Sequence, residues 1–155
     1  MATYASNTDV SSDRSRAEIE RTLVRYGATQ FAYGWSGEQA MLGFVSQGRQ
    51  VRFILPMPDR NAREFTHTPA RGYKRSEAEA NSAYEQAVKQ RWRALSLVIK
   101  AKLEAVEAGI VTFDEEFAMH MVLPDGSSVA QHVTQAVEKA YLTGKVPAML
   151  GIGMR

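Results

Sequence analysis

Five cations, Lys89, Arg91, Arg93, Lys100 and Lys102, stand between Gln86 and Leu103, and no acid stands among them. The same stretch belongs to an apolar series, Tyr84, Val88, Trp92, Leu95, Ile99, Leu103 and Val106, with steps of three or four. That is the repeat of a long helix with one face in a core. On such a helix Lys89, Arg93 and Lys100 fall on one shoulder of the stripe, and Arg91 and Lys102 fall on the other. Cations at this spacing reach successive phosphates, and each phosphate they neutralise releases condensed counterions. The chemistry on offer is the holding of a polyanion. Arg49, Arg52, Lys74 and Arg75 stand in neighbouring segments and can extend the same surface. Tyr33, Trp35, Phe53, Tyr73 and Trp92 lie in or near these segments, and single-strand binders stack bases on such rings. Rings at helical or alternating spacing are also the ordinary material of a core, which is the competing reading of Trp92 and Phe53.

Bond-making chemistry is harder to find. Glu116 and His120 are four residues apart, which puts them on one helix face, with Asp114, Glu115 and His132 nearby. The second histidine of an HExxH motif is missing, and acids in a first helical turn follow from the helix dipole alone. A metal-dependent hydrolase on this pair is therefore the third-ranked reading. The chain has no cysteine, so it has no disulfide, thiol chemistry or thiolate metal site. There is no GxSxG elbow, and Gly34, Gly37, Gly43 and Gly48 form neither a P-loop nor a dinucleotide fingerprint. The expectation is a protein with no catalytic residues, no metal and no cofactor, and not an enzyme.

Bulk properties narrow the classes further. With 155 residues, 45% hydrophobic and 23% charged, the chain reads as one globular domain, 1–155, able to build a real core. No apolar run reaches the roughly 18 residues of a membrane span, and the first fifteen residues lack the pattern of a secretory signal. The expected location is cytoplasmic, in the host cell if the gene is a phage's. The net charge of +2 hides a division: −1 over residues 1–48, +7 over 49–102 and −4 over 103–155. Such asymmetry sets up a local field for an anionic partner, or lets basic and acidic parts face each other within or between subunits.

The elements that must carry these residues are legible in outline. Residues 1–12 read as a flexible arm. Ser15-Arg-Ala-Glu18 matches a capping box that opens a short helix through Ile19, Leu23 and Tyr26, stopped at Gly27. Phe31, Tyr33 and Trp35 alternate in a first strand, Leu42 and Phe44 in a second, and a third covers Arg49 to Leu55. Short glycine-containing links between them predict an antiparallel meander, ended by Pro56 and Pro58. Residues 59–75 read as a basic loop without periodicity. Further capping boxes at Ser76, Thr112 and Ser128 open a long helix to about Ala108, a short acidic helix, and a helix to Thr143. Leu123-Pro-Asp-Gly126 is a turn, and 144–155 an apolar tail. The expected class is α+β: a short helix, a three-stranded antiparallel meander, a long amphipathic helix and two shorter C-terminal helices, with the helices on one sheet face.

Several phrases, AEIERTLVRYGA, VRFILPMPD, RWRALSLVIKAKLEAVEAGI and VLPDG, resemble a family of small uncharacterised phage and prophage proteins. That resemblance implies a phage context and no particular activity. The element order over roughly residues 15–108 is similar to the core of single-strand annealing recombinases, the phage Red-beta and RecT proteins and their eukaryotic relatives. It implies an oligomer, a ring or filament, around a basic DNA groove. Double-stranded RNA-binding domains share the order but carry their basic cluster at a helix N-terminus rather than mid-helix. The leading expectation is a nucleic-acid-binding protein that binds or anneals single-stranded DNA in recombination, as a homo-oligomer and away from membranes. Its site would be Arg49, Arg52, Lys74, Arg75, Lys89, Arg91, Arg93 and Lys100. The alternative is a phage protein that docks on a host protein and modulates it.

Overall fold

Alternation at Gln39–Ser46 puts Ala40, Leu42, Phe44 and Ser46 on one side of a strand, and all four are buried. This strand, β2, is the centre of a three-stranded antiparallel sheet. β1 (Gln30–Ser36) and β3 (Arg49–Pro56) flank it in the order β1-β2-β3. A computed structural model of the chain describes residue 8 and residues 10–148. Two-residue turns at 37–38 and 47–48 join the strands, and Ser36 opposes Gln39 while Ser46 opposes Arg49. Gly37 and Gly48 take positive φ there, as tight hairpin turns require. The register places Phe31, Phe44 and Val51 in one cross-strand row and Tyr33, Leu42 and Phe53 in the next.

Helices cover that face alone. α1 (Ser12–Arg25) and the long α3 (Glu77–Glu107) pack side by side on it, and the short α4 (Phe113–Phe117) closes the β3 side. Ile19 and Leu23 from α1, with Trp92, Leu95, Ile99 and Leu103 from α3, meet the strand residues in one core. Phe117 has no exposed surface and stands edge-on to Phe44 and Phe53 and stacked on Phe113. The fold is α+β with the helices on one sheet face. After a single 3-10 turn at Ala118–His120, the last helix, α5 (Val129–Thr143), follows the 123–126 turn and contributes no buried residue. No helix among the described residues is long and apolar enough to cross a membrane.

Three local expectations are revised. Ser15 does not cap α1: Ser11 does, accepting from the Arg14 amide, and Ser15 lies fully buried inside the helix. The boxes at Ser76, Thr112 and Ser128 form as expected, each with reciprocal bonds to Glu79, Glu115 and Gln131. The 59–75 segment is not irregular. It holds a one-turn helix, α2 (Arg63–Thr66), anchored by buried Phe65 edge-on to Tyr84, and a bridge between His67 and Lys74. Of the expected arm, residues 1–7 and 9 lie outside the described residues and Ser12 belongs to α1. Of the tail, 149–155 lie outside them.

Candidate nucleic-acid interface

The eight cations singled out by the sequence do not line one groove. Arg93 turns toward α1, where its Nη1 donates to Glu18 Oε2 at 2.6 Å. Lys102, from the other shoulder, turns toward α4 and bonds Glu116 Oε1 at 3.0 Å. Arg49 pairs with Asp114 at 3.2 Å, at the opposite end of the sheet from the hairpin turn at 37–38. Arg52 alternates with buried Val51 and Phe53, so it projects from the uncovered sheet face, donating to the Gly126 carbonyl at 3.4 Å. Two anticipated ligands of a polyanion, Arg49 and Arg93, thus have acidic partners, and Arg52 faces away from the helices.

A second group does come together. Arg75 and Lys89 line one open cavity of about 590 Å³, with Thr68, Ser82, Gln86 and Glu79 beside them. The Glu79 carboxylate is already engaged at the Ser76 amide in the α3 capping box. Lys74 is exposed next to Arg75 in the turn that the His67–Lys74 bridge closes. Arg91 and Lys100 are exposed on α3. None of Lys74, Arg75, Lys89, Arg91 or Lys100 has an ion-pair partner among the described residues.

Beside it lies a larger cavity of about 620 Å³, between the β1–β2 turn, the segment after β3 and the N-terminal parts of α1 and α3. Glu85 on α3 borders both cavities. Trp35, three-quarters exposed, forms one wall. Arg16 forms another, its guanidinium 4.8 Å from the Tyr33 ring and 4.9 Å from the Trp92 ring while paired with Asp13. Arg60 lies 4.0 Å over the Tyr84 ring and donates to Asn81 Oδ1 at 2.7 Å. Both guanidinium groups are thereby held in place by rings, which lowers the entropic cost of any ligand contact they make. Glu38 and Asp59 also border the space, so it suits a ligand with both an aromatic body and polar edges better than a bare anion.

Sequence reasoning passed over Arg16 and treated Arg60 as one loop cation among several. The available signal was Trp35 in an alternating strand ending at a tight turn. A ring there overhangs whatever the helices fail to cover. Trp92, by contrast, is buried and packs edge-on to Tyr33 at 6.0 Å, so it is a core residue.

The other constellations do not assemble into catalytic machinery. Glu116 is held by Lys102, and the His120 ring stacks on Phe53 at 4.3 Å. Burial, helped by nearby Lys102, keeps the His120 pKa below its usual value, with Glu116 opposing. No cluster of three metal-ligating side chains occurs among the described residues. Ser127 Oγ lies 2.8 Å from His132 Nε2 and 2.5 Å from Asp125 Oδ1. The hydroxyl proton goes to Asp125, whose carboxyl is held below its ordinary pKa chiefly by that bond. His132 must then donate to Ser127, which is the reverse of what a general base does. Comparison of the chain with protein-family models, with curated proteins and with solved structures finds no match in any of the three.

Proposed function

We propose that this protein binds single-stranded nucleic acid, DNA in the first instance, without catalysing a reaction on it. The strand lies along the N-terminal half of α3. A base stacks against Trp35, and phosphates run past Arg75, Lys89 and Lys74. The observation that carries this reading is the exposed Trp35 at the mouth of a cavity that adjoins unpaired Arg75 and Lys89. Exposed rings beside cations are what sequence-tolerant single-strand binders use, since every base offers a π-face. Arg91 and Lys100 lie farther along the helix and suit a longer strand or a neighbouring subunit. On this reading the protein is an oligomeric phage factor that holds single strands for annealing during recombination, in the cytoplasm of the host.

Titration of a dye-labelled oligonucleotide at two salt concentrations is the test. Binding should weaken with salt, by a slope of about 0.7 per phosphate contacted. Trp35→Ala should cost roughly 1–3 kcal/mol, about 5- to 150-fold in affinity, with the salt slope unchanged. Arg75→Ala with Lys89→Ala should flatten that slope. No binding at low salt, or affinity indifferent to both salt and Trp35, would sink the proposal.

One observation favours the alternative, docking on a host protein. α5 buries no residue, and Tyr141 and Leu142 near its end are 89% and 81% exposed. A stoichiometric protein partner retained from nuclease-treated host lysate by the wild type, and lost with Tyr141→Asp, would favour docking over DNA.

A further inference from the structure

The two edges of the sheet are treated differently. Outside β3, Met121 bridges Val51 and the Val122 amide donates to the Gln50 carbonyl at 2.8 Å, so that edge is occupied where it begins. Outside β1, no described residue pairs with the strand. An open edge is a template for another strand, and proteins usually blunt it with charge, proline or a bulge. β1 reads Gln30-Phe-Ala-Tyr-Gly-Trp-Ser36: it has no charged residue and no proline, and its pairing with β2 is continuous from Gln30 to Ser36.

We infer that this edge pairs with the same edge of a second copy, antiparallel about a two-fold axis at Tyr33, giving a closed dimer with a six-stranded sheet. The strand is self-complementary in that register. Phe31 faces the partner's Trp35 and Trp35 the partner's Phe31, on the helix side of the sheet. Ala32 faces the partner's Gly34 on the uncovered side. Aromatic cross-strand pairs of this kind stabilise a sheet, and a neutral strand brings no like charges together at the axis. The solvent exposure of the aromatic row agrees: Phe31 is half-buried under the helices, whereas Tyr33 and Trp35 are 47% and 75% exposed. Seven paired residues supply about six to eight interstrand hydrogen bonds, because alternate residues of each strand point outward. The β3 edge is occupied at Gln50 and Val51 and ends at Pro56, which has no N–H to donate. It offers too short a template, so extension stops at two copies, a point group rather than a filament. Pairing sets the partner's Phe31 beside the Trp35 ring, and the dimer does not depend on nucleic acid.

Analytical ultracentrifugation of the full chain, free of nucleic acid and over a range of concentrations, tests this directly. The wild type should approach twice the chain mass of 17.2 kDa. Two charged double variants fix the register, and both residues tolerate them: Ala32 is exposed, and a side chain built at Gly34 meets nothing within 4 Å. Ala32→Glu with Gly34→Glu sets like charges across the axis and should weaken association at least tenfold. Ala32→Lys with Gly34→Glu sets opposite charges across it and should retain the dimer, with the same circular dichroism spectrum. A wild type that stays monomeric throughout, or two double variants that associate equally well, overturns the inference. Either result leaves the oligonucleotide titration to stand or fall separately.

Discussion

Ser15 and His120 illustrate how single residues here trade polarity against packing. Ser15 continues the row of Ile19 and Leu23 on the buried side of α1, and its hydroxyl has no hydrogen-bond partner. A buried polar group left unsatisfied costs about 1–3 kcal/mol. Ser15→Ala should therefore raise stability by about 1 kcal/mol, seen as a higher urea midpoint with unchanged slope. The Ser15–Glu18 capping pattern is complete in the sequence, but position 15 is buried beside Ile19 and Leu23, so the helix starts a turn earlier and Ser11 caps it. His120 sits with its ring on Phe53, and burial holds its pKa below the unfolded value of 6.5. The unfolded chain thus takes up the proton first. The contribution of neutral His120 is complete above the unfolded pKa and is lost as pH falls through the lower folded one. Against His120→Gln, the wild type should lose more stability as pH falls below the unfolded value, and parallel pH profiles would contradict the assignment.

At the scale of elements, the strands and capped helices were legible because their signals span a few residues. Period-two alternation, a two-residue turn or a serine three positions before a glutamate is complete within one segment. The 59–75 segment was illegible because its order comes from elsewhere: Phe65 packs on Tyr84 of α3, and Arg60 reaches Tyr84 and Asn81. Phe65→Ala should release it, at a cost of about 3 kcal/mol or less, since the site lies outside the main core. Hydrogen exchange is the check. Amide protection at Thr68 and Arg75, which donate to Tyr73 and Thr66, should fall, while protection in β2 persists. The same variant should weaken oligonucleotide binding, because Arg75 and Lys74 sit on this segment.

For the whole molecule, Phe117 is the point where the layers meet. It touches the aromatics of β2 and β3 and ties α4 to the sheet, although α4 is only five residues long. Phe117→Ala should cost about 3–5 kcal/mol, a large part of the stability of a domain this size. It should be the most damaging of the substitutions proposed, measured by denaturant unfolding. The charge division also resolves at this scale. Acidic residues from α1 and α4 pair with Arg49, Arg93 and Lys102, while Arg75 just before α3 and Lys89, Arg91 and Lys100 on it have no ion-pair partner among the described residues.

What the sequence alone determined was the α+β class, the order of elements, three of the four helix caps and the buried stripe of α3. Each of these depends on backbone geometry and on neighbours a few residues away. Only the tertiary structure decided which cations are neutralised, that Arg52 lies on the face away from α3, and that Trp35 rather than Trp92 is open to solvent. Those outcomes depend on where α1, α3 and α4 cross the sheet. A helix layer that stops short of β1 exposes one ring, buries another and leaves a strand edge free, and spacing along the chain does not encode how far that cover reaches.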